Sequence, residues 1–210
     1  MTRFVPVLRA QLADALEGAA PGSPTLCEGW TAHDLAAHVV IRERRPDAAL
    51  GLLVPGLAPW TERVRRRRAR LPHTDLVALV RSGPPRLSPL TLPAIDERAN
   101  LTEFFVHTED VLRAVPGWTP RSLPPDQLEA LWRSVRGSAR FLYRGVPTGV
   151  RLRGPDGTVA QVRPGPEAVE LRGPVPELVL HAFGRTAVAE VEVVGPADAV
   201  RRFRETVRRI

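Results

Sequence analysis

The chain contains no lysine: all 30 of its basic residues are arginine, and they outnumber the 23 acidic ones to give a formal charge of +7 and a pI of about 11.2. Such a balance would ordinarily raise nucleic acid as a partner. Arginine without any lysine, in a chain rich in alanine, proline and glycine, reads instead as the trace of a GC-rich coding sequence. The one dense basic run, Arg65 to Arg68, also lacks the interleaved aromatics of a single-strand binder. Cysteine is nearly absent too. With Cys27 alone, no intrachain disulfide, zinc ribbon or CxxC redox motif can form. Long apolar runs are missing, since charge or proline interrupts each one well before the ~18 residues of a membrane span. The N-terminus has Arg3, Arg9 and Asp14 where a secretory signal would carry an apolar core, so the expected location is cytoplasmic.

What the chain does have is helical periodicity followed by hairpin grammar. Val5, Leu8, Leu12 and Leu16 predict an amphipathic helix over 4–19. Thr31 as N-cap, with Asp34 in the first turn, predicts a second over 31–45, with Leu35, His38, Val39 and Arg42 on one face. A short helix and a loop are expected over 47–59, a charged, solvated helix over 61–70, and a short helix capped by Thr74 over 73–81. Longer helices are expected over 95–115 and 125–143. The four helices 4–19, 31–45, 95–115 and 125–143 would make an antiparallel bundle. Beyond Gly145, alternating segments at 150–153, 159–162 and 169–171 are separated by Gly-Pro-Asp-Gly and Pro-Gly-Pro turns. A helix over 176–183, a strand over 187–194 and a helix over 196–209 complete the chain. The expected class is therefore α+β, with a helical bundle over 1–145 and a small α+β domain over 146–210.

The chemistry concentrates in Asn100 to Leu112. In a helix, Glu103 and His107 stand one above the other, and Asp110 follows on the same stripe. Phe105, Val111 and Leu112 make the helix apolar elsewhere, so charged groups on that stripe need partners. A metal ion satisfies a carboxylate and an imidazole together, and His38 on the second helix supplies a third ligand. Asp110 is a candidate to orient His107 from behind, or to pair with Arg98 or another arginine. Cys27, in a loop just before Trp30, is assigned a structural role. His33 reads as a helix-surface residue, and His73 and His181 lack partners at ligand spacing.

The segment Leu26-Cys27-Glu28-Gly29-Trp30-Thr31 leading to His38, the Glu103-x3-His107-x2-Asp110 helix, and the late Glu177-Leu178 and Gly184-Arg185 segments resemble the mycothiol-dependent maleylpyruvate isomerase family, which is related to the DinB-like metal-binding bundles. The resemblance implies a DinB-like four-helix bundle with a small C-terminal α+β domain. It implies a divalent ion, usually zinc, on His38, Glu103 and His107, with mycothiol or a similar low-molecular-weight thiol bound near it. It also links Arg185, in the Gly-Arg pair, to activity. The extra Arg44-Arg45-Pro46-Asp47 segment and the arginine-rich middle depart from the isomerase proper and resemble a metal-binding branch of the family. The expected function is a metal- and thiol-dependent transferase or isomerase acting on a small molecule. A non-catalytic metal-binding or ligand-sensing protein is the alternative, with an arginine-driven nucleic-acid binder behind it.

Overall fold

Val5, Leu8, Leu12 and Leu16 recur at three- and four-residue steps, so a helix through them buries one face whole, and all four side chains are inaccessible. That helix, α1, spans Val5–Gly18, with Pro6 in its first turn where a missing N–H costs nothing. The structure is a computed structural model that describes residues 3–45, 56 and 58–207. The expected elements over 47–59 lie almost wholly outside them. α2 (Ala32–Arg44) begins at a capping box, in which the Asp34 N–H donates to the Thr31 hydroxyl while the Thr31 N–H donates to the Asp34 carboxylate. There follow α3 (Ala58–Arg68), α4 (His73–Ser82), a single 3-10 turn at Pro89–Thr91 and α5 (Pro93–Leu112). Pro72, not Thr74, occupies the N-cap of α4, and no side chain caps it.

The chain divides between Pro120 and Arg121, earlier than the expected 145/146. The helix expected to be the fourth of the bundle, α6 (Pro125–Leu142), packs against α7 (Val175–Ala182) and a strand of the second unit. In the first unit α1 lies on α4 and α5, and α2 lies on α3 and α4. The ten-residue α4 takes the vacant place because Leu76, Val77 and Val80 make its inner face apolar. Periodicity reveals that a helix has a face to bury, and the same pattern serves whichever neighbour covers it.

The second unit carries a four-stranded sheet, β1 (Val150–Arg153), β2 (Val159–Arg163), β3 (Val169–Arg172) and β4 (Glu192–Val194), in the order β2-β1-β3-β4. β1 and β2 form the expected antiparallel hairpin, turning at Gly157 with a φ of 82° that suits glycine. β3 runs parallel to β1 and antiparallel to β4. The strand expected over 187–194 shrinks to its last three residues. α8 (Ala197–Val207) follows, and no helix among the described residues is long and apolar enough to cross a membrane.

The core of this unit contains a hydrogen bond of 2.9 Å between the Tyr143 hydroxyl and Nδ1 of His181, whose ring stacks on Phe203. Burial pushes the Tyr143 phenol up and lowers His181 to about 4. The unfolded chain takes up that proton near pH 6.5 and the folded one only near 4. Stability is therefore complete above pH 6.5 and falls as the pH drops towards 4, by roughly 3 kcal/mol from this residue. Urea denaturation of wild type and His181→Gln at pH 7 and pH 4.5 should show a smaller acid loss in the variant.

Candidate metal centre

From Phe104 to Val111 every residue of α5 is buried, including His107, Thr108, Glu109 and Asp110. One turn of helix brings Nε2 of His107 to 3.1 Å from Oε1 of Glu103. From α2, Nε2 of His38 reaches the same oxygen at 3.4 Å. The capping box sets the start of α2, and with it the angular position of His38 about two turns inside. One ligand atom from each of the three residues lies within 4.8 Å of the others. Bonds of about 2.0–2.1 Å in a tetrahedral zinc site place neighbouring donors about 3.3 Å apart. The two separations bracket that value. Two imidazoles and a carboxylate are donors of the kind that could hold a borderline divalent cation.

The charges around the set are matched. Burial disfavours the charge on Glu103, yet His107, His38 and Arg42 hold its carboxyl well below the usual range. Burial also disfavours charge on His107, yet the Glu103 charge and the hydrogen bonds to Asp110, Cys27 and Glu103 hold it well above the usual imidazole value. His38 is lowered by burial, against the pull of Glu103. A protonated His107 thus meets two carboxylates, the buried Asp110 and the partly exposed Glu103. A cation entering there replaces a proton, so binding releases it. Asp110, fully buried, takes its place behind His107, with Oδ2 at 2.8 Å from Nδ1. Such a carboxylate fixes the ring and would leave Nε2 free to face a cation held by Glu103 and His38.

Two neighbours of the set were not singled out as site residues from the sequence. Arg42 puts Nε at 3.0 Å from Oε1 of Glu103, NH1 at 2.6 Å from Oδ1 of Asn100 and NH2 at 2.8 Å from the Ala99 carbonyl. Its position one turn after His38 was the available signal. Cys27, assigned to loop packing, donates from Sγ to Oδ2 of Asp110 at 3.2 Å. Nothing local predicts that contact, which is made 83 residues along the chain.

The remaining candidates have other partners. Arg65 is buried, pairing with Asp34 and Glu62 and lying over the Trp30 ring, so the arginine run is not uniformly solvated. Nε2 of His33 and Nε2 of His73 each lie 2.8 Å from a backbone carbonyl, of Ala69 and Leu16, and the two rings adjoin. Arg185 belongs to the second unit, where NH1 donates to the Phe183 carbonyl at 2.6 Å.

Residues 8–114 match the family described as the mycothiol maleylpyruvate isomerase N-terminal domain. The chain belongs to that family. The crystal structure of the mycothiol-dependent maleylpyruvate isomerase is similar to it, with a TM-score of 0.56 and 17% identity over 92% of this chain and 95% of that one. A mutant form of the same isomerase matches with the same figures. At that identity the likeness establishes the α+β fold of the maleylpyruvate isomerases. No curated protein matches the chain. All four candidates, His38, Glu103, His107 and Asp110, fall within the span shared with the family. Asp110→Asn should weaken divalent-metal binding about 10- to 100-fold in competition titrations, by removing the carboxylate that holds the His107 ring.

Proposed function

We propose that the first unit holds a divalent ion, zinc by preference, through His38, Glu103 and His107. The protein would use it with mycothiol or a similar low-molecular-weight thiol to carry out a transferase or isomerase reaction on a small molecule. The observation that carries this reading is the single Glu103 oxygen approached by Nε2 of both histidines, at 3.1 and 3.4 Å, from two helices. The thiol is suggested by membership of the mycothiol maleylpyruvate isomerase family. When bound, the ion would supply a Lewis acid with an open position that favours the deprotonated form of an incoming thiol.

The protein's own groups then have separable tasks. Asp110 orients His107, and Arg42 holds Glu103 with a guanidinium that is itself fixed by Asn100 and the Ala99 carbonyl. Trp30 packs beside the donor set, its ring centre 4.9 Å from that of His38. The family resemblance links the position of Arg185 to activity, and its forked guanidinium is of the kind that could hold a substrate carboxylate.

Purified protein should contain close to one metal ion per chain, and the His38→Ala, His107→Ala double variant should contain none. Calorimetry should detect mycothiol binding to the metal-loaded protein and not to the stripped one. Metal retained by the double variant would defeat the proposed site, and metal-dependent thiol binding without turnover would favour a sensor. Arg185→Lys should raise KM for a carboxylate substrate about tenfold or more at unchanged metal content.

A further inference from the structure

His107 stands between two donor sets. Its Nε2 faces Glu103 and His38. Its Nδ1 lies 2.8 Å from Oδ2 of Asp110 and 4.0 Å from Sγ of Cys27, and Sγ is 3.2 Å from the same Oδ2. A sulfur, a nitrogen and an oxygen therefore converge at the Nδ1 edge of the imidazole, all within 4.8 Å of one another. Bonds of about 2.3 Å to sulfur and 2.0–2.2 Å to nitrogen and oxygen place tetrahedral donors about 3.3–3.6 Å apart, a range these separations span.

The loop holds the sulfur in this place. The Leu26 N–H donates to the Asp110 carbonyl at 3.0 Å, which ties the loop to the last turns of α5. The Cys27 N–H donates to Oγ1 of Thr25 at 3.2 Å, and the Trp30 N–H donates to the Cys27 carbonyl at 3.0 Å. Asp110, His107 and the loop are thus arranged before any ion arrives.

We propose that Cys27, Asp110 and Nδ1 of His107 form a second metal seat, selective for a thiophilic cation such as Cd²⁺, and that it excludes occupation of the His38–Glu103–His107 seat. Softness assigns the cation, because a thiolate ligand favours soft ions over those content with nitrogen and oxygen. Exclusion follows from the shared ring. An ion at Cys27 displaces the thiol proton and leaves Nδ1 without one, so the neutral imidazole carries its proton on Nε2 and donates it to Glu103. An ion at Glu103 requires the reverse, with Nε2 bare and Nδ1–H donating to Asp110. One neutral ring cannot do both. The sulfur seat stands on its own geometry, whereas the exclusion rests on the metal site proposed above.

The test is titration of the metal-stripped full-length protein with Cd²⁺, followed by the ultraviolet sulfur-to-cadmium charge-transfer band, in wild type, Cys27→Ser and His38→Ala. Wild type and His38→Ala should develop the band at one Cd²⁺ per chain. Cys27→Ser should lose it, with Cd²⁺ affinity down on the order of 100-fold or more, while still binding Co²⁺. Wild type loaded first with Co²⁺ should release one Co²⁺ for each Cd²⁺ taken up. No band in wild type, or unchanged Cd²⁺ affinity in Cys27→Ser, would overturn the sulfur seat. Retention of Co²⁺ alongside Cd²⁺ would overturn the exclusion. Failure of wild type to bind Co²⁺ at all, with the cadmium band intact, would instead overturn the first seat and leave the second supported.

Discussion

The carboxylate of Glu103 is the constraint around which the first unit is built. One of its oxygens is approached by Nε2 of His38, Nε2 of His107 and Nε of Arg42. A largely desolvated charge of this kind, with a side chain still 20% exposed, is held by partners in good geometry, because close, fixed contacts offset the cost of taking it partly out of water. The partners come from two helices, so α2 and α5 must keep their relative position for the site to exist.

That position is reinforced by a polar chain running away from the site. Arg42 bonds Asn100, Asn100 donates to Asp96 at 2.7 Å, and Arg9 of α1 lies 3.7 Å from Asp96 and 2.5 Å from Glu43. Burial raises Glu43 despite its contact with Arg9, so this pairing works against a real desolvation cost. The network joins α1, α2 and α5 by polar contacts beside their apolar core. At the other end, the loop before α2 is tied to α5 through Leu26 and Cys27. The side chains of the cluster are thereby tied to their surroundings on both sides.

Legibility from sequence followed the range of the interactions. α1, α2, α5 and the β1–β2 hairpin were readable because periodicity, a capping residue and turn chemistry act within a few residues. The Glu103–His107 pair was readable for the same reason, since a helix places residues four apart on one face. His38 was harder, and only its apolar neighbours on α2 suggested an inward direction. The partner of α6 was not readable: its face of Leu131, Val135 and Ala139 suits a bundle as well as it suits α7 and β2. Nor was the burial of Arg65, which depends on Asp34 and Glu62 offering charge where the run itself looks solvated.

By itself the sequence determined the positions of α1, α2, α5 and the β1–β2 hairpin, that α5 carries ligand-type side chains on one stripe, and that Cys27 has no intrachain disulfide partner. Tertiary structure alone decided which helices share a core, which oxygen the two histidines approach, and that Cys27 and Arg42 stand beside that oxygen's neighbours. The physical reason is that local geometry depends on residues a turn apart, while coordination and charge matching depend on atoms brought together across 65 to 83 residues of chain. No pattern within a single element encodes such a meeting.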